Sequence, residues 1–497
     1  MERRFSDIIK AKETKLLLLF VFCFVYELCF SLSTSFLLPR RAIDSHMFQE
    51  LGLCLLHGKL PYIDLFDHKG FYLFLINAIG LGINHKWGLI LLQAANLFGV
   101  LVISFKSMSL IVTNTLHKKW LRMFVMICIM IYGYAYQSGN MSEDWSLLAI
   151  SFPLYWSLLA IKEQTYFLSK KILIAIGTCV GIVFFIRPNN IFPIFGFLSI
   201  ILYHNVRLKK LKYIFQSLSL IILGFSLALL PCILFYYIRG GWQAVDEMFY
   251  GTITSNLIYS QTKASSLAFK AKSYALVIFF LLLTCLYFKR DRELVLGIIL
   301  CYLFGFIIIG AALYRHYFLI FIPLLPLTAA CLWNIKKRLV LLMLIGIAIF
   351  SVKPFMRYYH YVTCDINDYR KQLAQFNQIV KQIPEKERQQ IWNYNLKDCL
   401  GLLISQDIVQ SNRFFLLYHI NILERYTQSE RHKFGLTKPK WVLIEQNQPM
   451  YSFDYDLIQQ QYIPVDSTEI PSIQENITLL INKDYLSTNT TETYEDL

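Results

Sequence analysis

An all-α polytopic membrane bundle of roughly eleven crossings, with a small extracytoplasmic α/β domain at its C-terminal end, is the fold class this sequence predicts. Three observations predict it. The 497 residues are 56% hydrophobic and only 16% charged, a composition foreign to soluble domains. Apolar runs such as Leu16 to Leu38, Ile214 to Ile238 and Leu294 to Tyr314 approach the roughly 20 residues that carry a helix across about 30 Å of hydrocarbon. The basic residues fall in alternate connecting segments. A formal charge of +15 would suit nucleic acid if it lay on one soluble face, but this alternation assigns it to the membrane edge and argues against a nucleic-acid partner.

Taken in order, the first run follows Arg3, Arg4, Lys10, Lys12 and Lys15. It is too long for a secretory core and lacks a small-residue cleavage pattern, so it reads as a retained helix with a cytoplasmic N-terminus. Further basic clusters at Lys118 to Arg122, Lys162 to Lys171, Arg207 to Lys212, Lys289 to Arg292 and Lys336 to Arg338 are cytoplasmic by the positive-inside rule. The segments between them, 39–86, 137–144, 187–190, 239–272 and 314–317, then face the other side, as does the C-terminal part. Phe71 to Ile83 is apolar but short of a span, and is placed along the interface. The pair Ile172 to Ile186 and Ile191 to Tyr203 is also short and is compatible with a re-entrant hairpin. Neither changes the parity.

Residues 1–352 form the expected membrane domain, 353–485 the expected α/β domain, and 486–497 a frayed tail. In the second part a helical period covers Tyr369 to Ile383, and strand-like runs cover Lys440 to Glu445 and Ile477 to Asn482. Of eleven cysteines, most lie in apolar runs and act as small hydrophobes. Cys54, Cys364 and Cys399 lie outside them, and no metal-ligand spacing occurs; a Cys364 to Cys399 disulfide is left open.

The chemistry concentrates in the first outer loop, RRAIDSHMFQELGLCLLHGKLPYIDLFDHKG, which carries Asp44, His46, Glu50, Tyr62, Asp64, Asp67, His68 and Lys69. Ordinary turn chemistry accounts for Asp64 to Asp67 between Pro61 and Gly70 equally well. Glu143 and Asp144 in QSGNMSEDW sit where a helix start wants carboxylates, and capping does not exclude a second role. Arg187 in FFIRPNN, and Arg315 with His316 in LYRHYF, either snorkel to headgroups or, with a lysine, bind a lipid phosphate.

Together these pieces resemble the GT-C superfamily of membrane glycosyltransferases, in particular bacterial members related to protein mannosyltransferases and to the aminoarabinose transferase of lipid A. The matching parts are Asp44 after the first helix, the Gly58 to Gly70 stretch, GN-x-[ST]-E-[DE] at Gly139 to Asp144, RPNN at Arg187 to Asn190, and HY at His316 before a proline-bearing helix. This chain departs from the commonest pattern in having Phe71 after Gly70 where prolines are usual. The resemblance implies transfer of a sugar from a polyprenyl-phosphate donor, with inversion, to an extracytoplasmic acceptor such as a cell-envelope glycan, teichoic acid, lipid or protein, in a bacterial cell membrane. It implies Asp44 as the base, with Glu143 and Asp144 as further catalytic carboxylates. Lys69, Arg315, His316 and Arg187 would bind the donor phosphate, and Tyr62, Asp64, Asp67 and His68 the substrate. A divalent cation, Mg2+ or Mn2+, held by the carboxylates is left open. Two other classes stand beside this one: a transporter or flippase of a lipid-linked saccharide, and an assembly subunit of an envelope-polymer complex. Against transport, the charged residues gather at helix ends on one face, Glu27 inside the first run excepted.

Overall fold

The computed structural model describes residues 2–31, 43–262, 267–307, 314–394, 400–445, 450–470 and 475–487; Cys399 and positions 488–497 of the expected tail lie outside them. The membrane part is helical throughout, because a chain in hydrocarbon must satisfy its backbone internally. Its helices are α1 (Glu2–Phe30), α2 (Ile43–Leu56), α3 (Phe71–Ile83), α4 (Gly88–Ser109), α5 (Thr115–Ala135), α6 (Ser142–Lys162), α7 (Lys170–Phe184), α8 (Phe195–Arg207) and α9 (Leu211–Phe249). They continue with α10 (Asn256–Thr262), α11 (Leu267–Cys285), α12 (Arg292–Ile307), α13 (Leu325–Ile335) and α14 (Lys337–His360).

Among the described residues five helical stretches are long and apolar enough to cross a membrane, at Gly88–Ser109, Ser142–Lys162, Leu211–Tyr259, Arg315–Ile335 and Lys337–Cys364. The hydropathy reading expects more because several of its apolar runs are divided. The run from Ile172 to Tyr203 is cut by a 3-10 turn at Pro188–Ile194 into helices of 15 and 13 residues. The apolar flanks of α9 and α14 are exposed, among them Phe215, Ile222, Leu227, Ile349 and Met356, as expected of surfaces whose solvent is lipid. Helix α9 loses helical dihedrals at Gly240 and Gly241, so the stretch from Trp242 to Tyr259 turns away from the span and runs over the end of the bundle.

Beyond α14 come α15 (Ile366–Lys381), α16 (Leu400–Ser405) and α17 (Leu417–Ile422). A four-stranded mixed sheet follows, with β1 (Trp392–Tyr394), β2 (Trp441–Glu445), β3 (Tyr462–Ile470) and β4 (Glu475–Asn482) in the order β1-β2-β4-β3. Strand β1 is parallel to β2, and β4 is antiparallel to both its neighbours. The expected helix and strand-like runs lie on α15, β2 and β4. Cys364 carries a free thiol.

This C-terminal part is stitched to the segment between α1 and α3. Phe66 N–H donates to Arg413 O at 2.7 Å, Gln410 N–H to Glu50 Oε1 at 3.1 Å, and Lys59 Nζ to the carbonyls of Val409 and Gln410 at 3.3 Å each. Arg413 in turn pairs with Glu247 at 2.6 Å. The C-terminal residues therefore form one wall of whatever the loop encloses.

Candidate active site

Three hydrogen-bonding devices, one of backbone and two of asparagine side chains, bring distant segments to one point. Gly70 N–H donates to Ile186 O and Tyr72 N–H to Phe185 O, each at 3.0 Å, which seats the end of the loop on the end of α7. Only glycine fits at position 70, since a Cβ there would stand 2.0 Å from Phe185 O. Lys69 is thereby set beside Arg187, the residue that leaves α7. Asn140, in the left-handed region at φ 57°, donates through Nδ2 to Ser45 Oγ and Asn77 Oδ1, both at 2.9 Å, and accepts from Trp145 Nε1 at 2.9 Å. It ties the starts of α2 and α6 to α3, placing Asp44 near Glu143. Asn190 completes the frame by donating to Ser146 Oγ at 2.9 Å.

The result is a cluster of charge at the end of the bundle. Arg187 pairs with Glu143, both buried, and its guanidinium lies 3.9 Å from the centre of the Tyr317 ring, a cation–π contact made strong by desolvation. His316 Nε2 is 3.9 Å from Asp44 Oδ2, and the Asp44 side chain keeps 46% of its surface exposed. Lys69 Nζ donates to His68 Nε2 at 2.6 Å and stands 3.9 Å from Asp67 Oδ1. His68 Nδ1 and Asp67 Oδ1 are 3.1 Å apart but poorly aligned for a hydrogen bond. Burial, then the charges of Lys69, His419 and Arg187, hold the His68 imidazole well below the ordinary histidine range. It is neutral, and its Nε2 is free to accept from the lysine. Burial lowers the Lys69 ammonium, opposed chiefly by Asp67, and raises the Asp67 carboxyl, opposed by Lys69. Asp44 and Glu143 also act on Lys69, so all these groups share one field.

Asp44, Asp67, His68, Lys69, Glu143, Arg187 and His316 are thus brought together. Other residues singled out in the sequence are not. Asp64 is exposed and accepts Leu60 N–H at 2.6 Å, the turn chemistry that competes with a substrate role. Tyr62 is buried behind the loop, donating to Lys69 O at 2.5 Å. Arg315 makes no ion pair with the cluster among the described residues, and the charged or polar groups that act on it are Arg357 and Tyr136. Asp144 accepts Gly139 N–H at 2.6 Å and Met141 N–H at 3.4 Å, capping α6, and faces a small cavity it shares with Glu27. Among the described residues no three His, Cys, Asp or Glu side chains are grouped to hold a metal. With Glu143 committed to Arg187 and Asp144 to backbone N–H groups, the carboxylates do not form a cation cage.

Sequence reasoning missed the aromatic lining. Tyr259 stacks on His68 with centroids 4.2 Å apart and lies 3.0 Å, oxygen to oxygen, from Tyr314. Tyr314 in turn stacks on His316 at 5.6 Å. His419, on α17, meets both His68 and Tyr259 edge-on. None had a local signal: Tyr259 sits in an uncharged stretch after α9, and His419 lies 351 residues after His68 in the chain.

No protein-family profile matches the chain, and no curated relative is similar in sequence. Among solved structures, the crystal structure of ArnT from Cupriavidus metallidurans bound to undecaprenyl phosphate is similar in fold, with a TM-score of 0.58 over 94% of this chain and 98% of that one, at 11% identity.

Proposed function

Starting from this GT-C type of fold in a multi-pass membrane protein, we propose that the chain transfers a sugar from a polyprenyl-phosphate carrier to a hydroxyl acceptor at the extracytoplasmic face. One observation carries this reading: a half-exposed carboxylate, Asp44, stands beside a buried cluster that holds the cations Lys69 and Arg187 together with His316. The acceptor oxygen bonds to the anomeric carbon as the bond from that carbon to the carrier phosphate oxygen breaks. The electron pair leaves with the phosphate, and Asp44 takes the acceptor proton. Attack opposite to the leaving group inverts the anomeric centre. Lys69 and Arg187 answer the charge that develops on the phosphate in a site where water competes little. Glu143 keeps the guanidinium in place, and Asp144 acts on the site through the start of α6.

The solved neighbour's undecaprenyl phosphate supports the donor class; the sugar and the acceptor rest on pocket shape. In membranes containing the lipid-linked donor, Asp44→Asn should abolish transfer while the protein still inserts and purifies as the parent does. Turnover at the parental rate would remove Asp44 from the mechanism.

A further inference from the structure

At the far end of α7 and α8 from the charge cluster lies a groove that the reaction does not use. It has a volume of about 320 Å3 and is lined by Leu173, Leu198, Leu202, Leu218 and Ile221, with Asn205 and Ser217 as polar points. Helices α7 and α9 close it on the inner side, where their backbones touch: a Cβ on Gly177 would fall 2.0 Å from Ile221 O, and one on Gly224 2.0 Å from Ile174 O. Toward the other end the wall opens sideways, and Leu202 and Leu218, both about half exposed, mark that opening to lipid.

Two independent features say what would fill it. The first is charge. The lining residues Leu168 and Leu173 flank Lys170 and Lys171 in the chain, while Asn205 and Tyr213 flank Arg207, Lys209, Lys210 and Lys212, so six exposed cations belong to the two chain segments that bound one end of the groove. None of the six forms an ion pair with a carboxylate among the described residues. The second is unmet hydrogen bonding. Asn205, 1% exposed, donates through Nδ2 to Tyr166 O and Ile201 O at 2.9 Å each, but its Oδ1 is buried without a donor. Ser217 Oγ is likewise buried without a partner. A buried acceptor left unpaired is costly, and the group it lacks is a hydrogen-bond donor, which a headgroup hydroxyl would supply. Ser217 is six residues into α9, roughly 9 Å along the axis at 1.5 Å per residue, just beyond the roughly 5–7 Å interfacial layer, the depth of acyl esters.

We propose that this groove binds one anionic diacyl glycerophospholipid with a hydroxylated headgroup. Its phosphate lies among the six cations, a headgroup hydroxyl donates to Asn205 Oδ1, an ester oxygen accepts from Ser217, and an acyl chain runs along Leu198 and Ile221. The lipid braces the α7–α8 pair at the end opposite Arg187.

The test is native mass spectrometry of the detergent-purified full chain titrated with phosphatidylglycerol or phosphatidylcholine of matched chains. One tightly held phosphatidylglycerol is expected, at a preference of about tenfold or more over phosphatidylcholine. Leu202→Trp, which fills the opening without altering charge, should abolish the tight binding, and the combined Lys209→Asn, Lys210→Gln, Lys212→Gln variant should abolish the preference. Both variants are scored only on the monodisperse fraction that keeps parental transferase activity, so misfolding is not read as loss of the site. Equal retention of the two lipids, an undiminished preference in Leu202→Trp, or displacement of the lipid by a polyprenyl phosphate would each overturn the proposal.

Discussion

Lys69 shows how little a residue's type says about its task. The residue is 7% exposed and its ammonium leans on a neutral imidazole and a carboxylate, an arrangement that desolvates the charge without cancelling it. Such an ammonium gains much from a phosphate that arrives with its own charge. Lys69→Met retains the aliphatic stem and removes the cation; it should raise the KM for the lipid-linked donor roughly 10- to 100-fold, the equivalent of about 1.5–3 kcal/mol for a charge-assisted hydrogen bond. A KM unchanged from the parent in steady-state transfer assays would remove the phosphate contact. The neighbouring carboxylates are not interchangeable with it or with each other: Glu143 is a counter-ion, Asp144 a cap and Asp64 a turn residue, while Asp44 keeps about half of its side chain exposed beside His316. Turn chemistry at Asp64 and capping at Glu143 and Asp144 were legible from the sequence as alternatives, but which alternative each carboxylate takes was not, because it depends on which backbone or side-chain group stands opposite.

At the scale of elements, the decisive contact is between the loop end and α7. Gly70→Ala places a methyl group against the Phe185 carbonyl, so the loop must lift away. A loss of about 1–3 kcal/mol is expected for such overpacking, together with a fall in transfer, because Lys69 is the residue before it. Thermal unfolding in detergent measures the first and turnover the second; a stable and fully active variant would show that the seat is dispensable. The packing of α2 against the soluble part supplies a second lever. Burial pushes the Glu50 carboxyl up to about 8, against the opposing effects of the Gln410 N–H and Lys59. The folded protein therefore holds this proton more tightly than the unfolded chain does. Stability from this group is fully present below the ordinary carboxylate range near 4.5 and declines as pH rises toward about 8. Glu50→Gln should flatten that decline and raise the unfolding temperature at pH 8 relative to the parent; identical pH profiles would exclude Glu50 as its source.

For the whole molecule, the C-terminal part packs against the candidate site, through His419 and the stitching of residues 409–413 to the loop, so both must lie on the same side of the membrane. Leu436 is 82% exposed on that part. A Leu436→Cys variant should take up a membrane-impermeant thiol reagent added to intact cells well above the parental level. Labelling only after lysis would invert the orientation.

Composition and apolar run length determined by themselves that the chain lives in a bilayer as helices, since a continuous apolar run of about 20 residues satisfies its own backbone in hydrocarbon as a helix, and the ordered motifs from Asp44 to His316 carried a resemblance to the GT-C fold. The period of α15 and the strand-like runs of β2 and β4 were likewise legible, being local patterns. What only the tertiary structure decided is which charges meet. Arg187 and Glu143 are 44 residues apart, and His68 and His419 are 351 apart; their proximity is set by Asn140, Gly70 and the Gln410 N–H, whose partners are backbone and side-chain atoms on other segments. A contact between distant segments leaves no periodic trace in a single sequence, and the candidate site is made of such contacts.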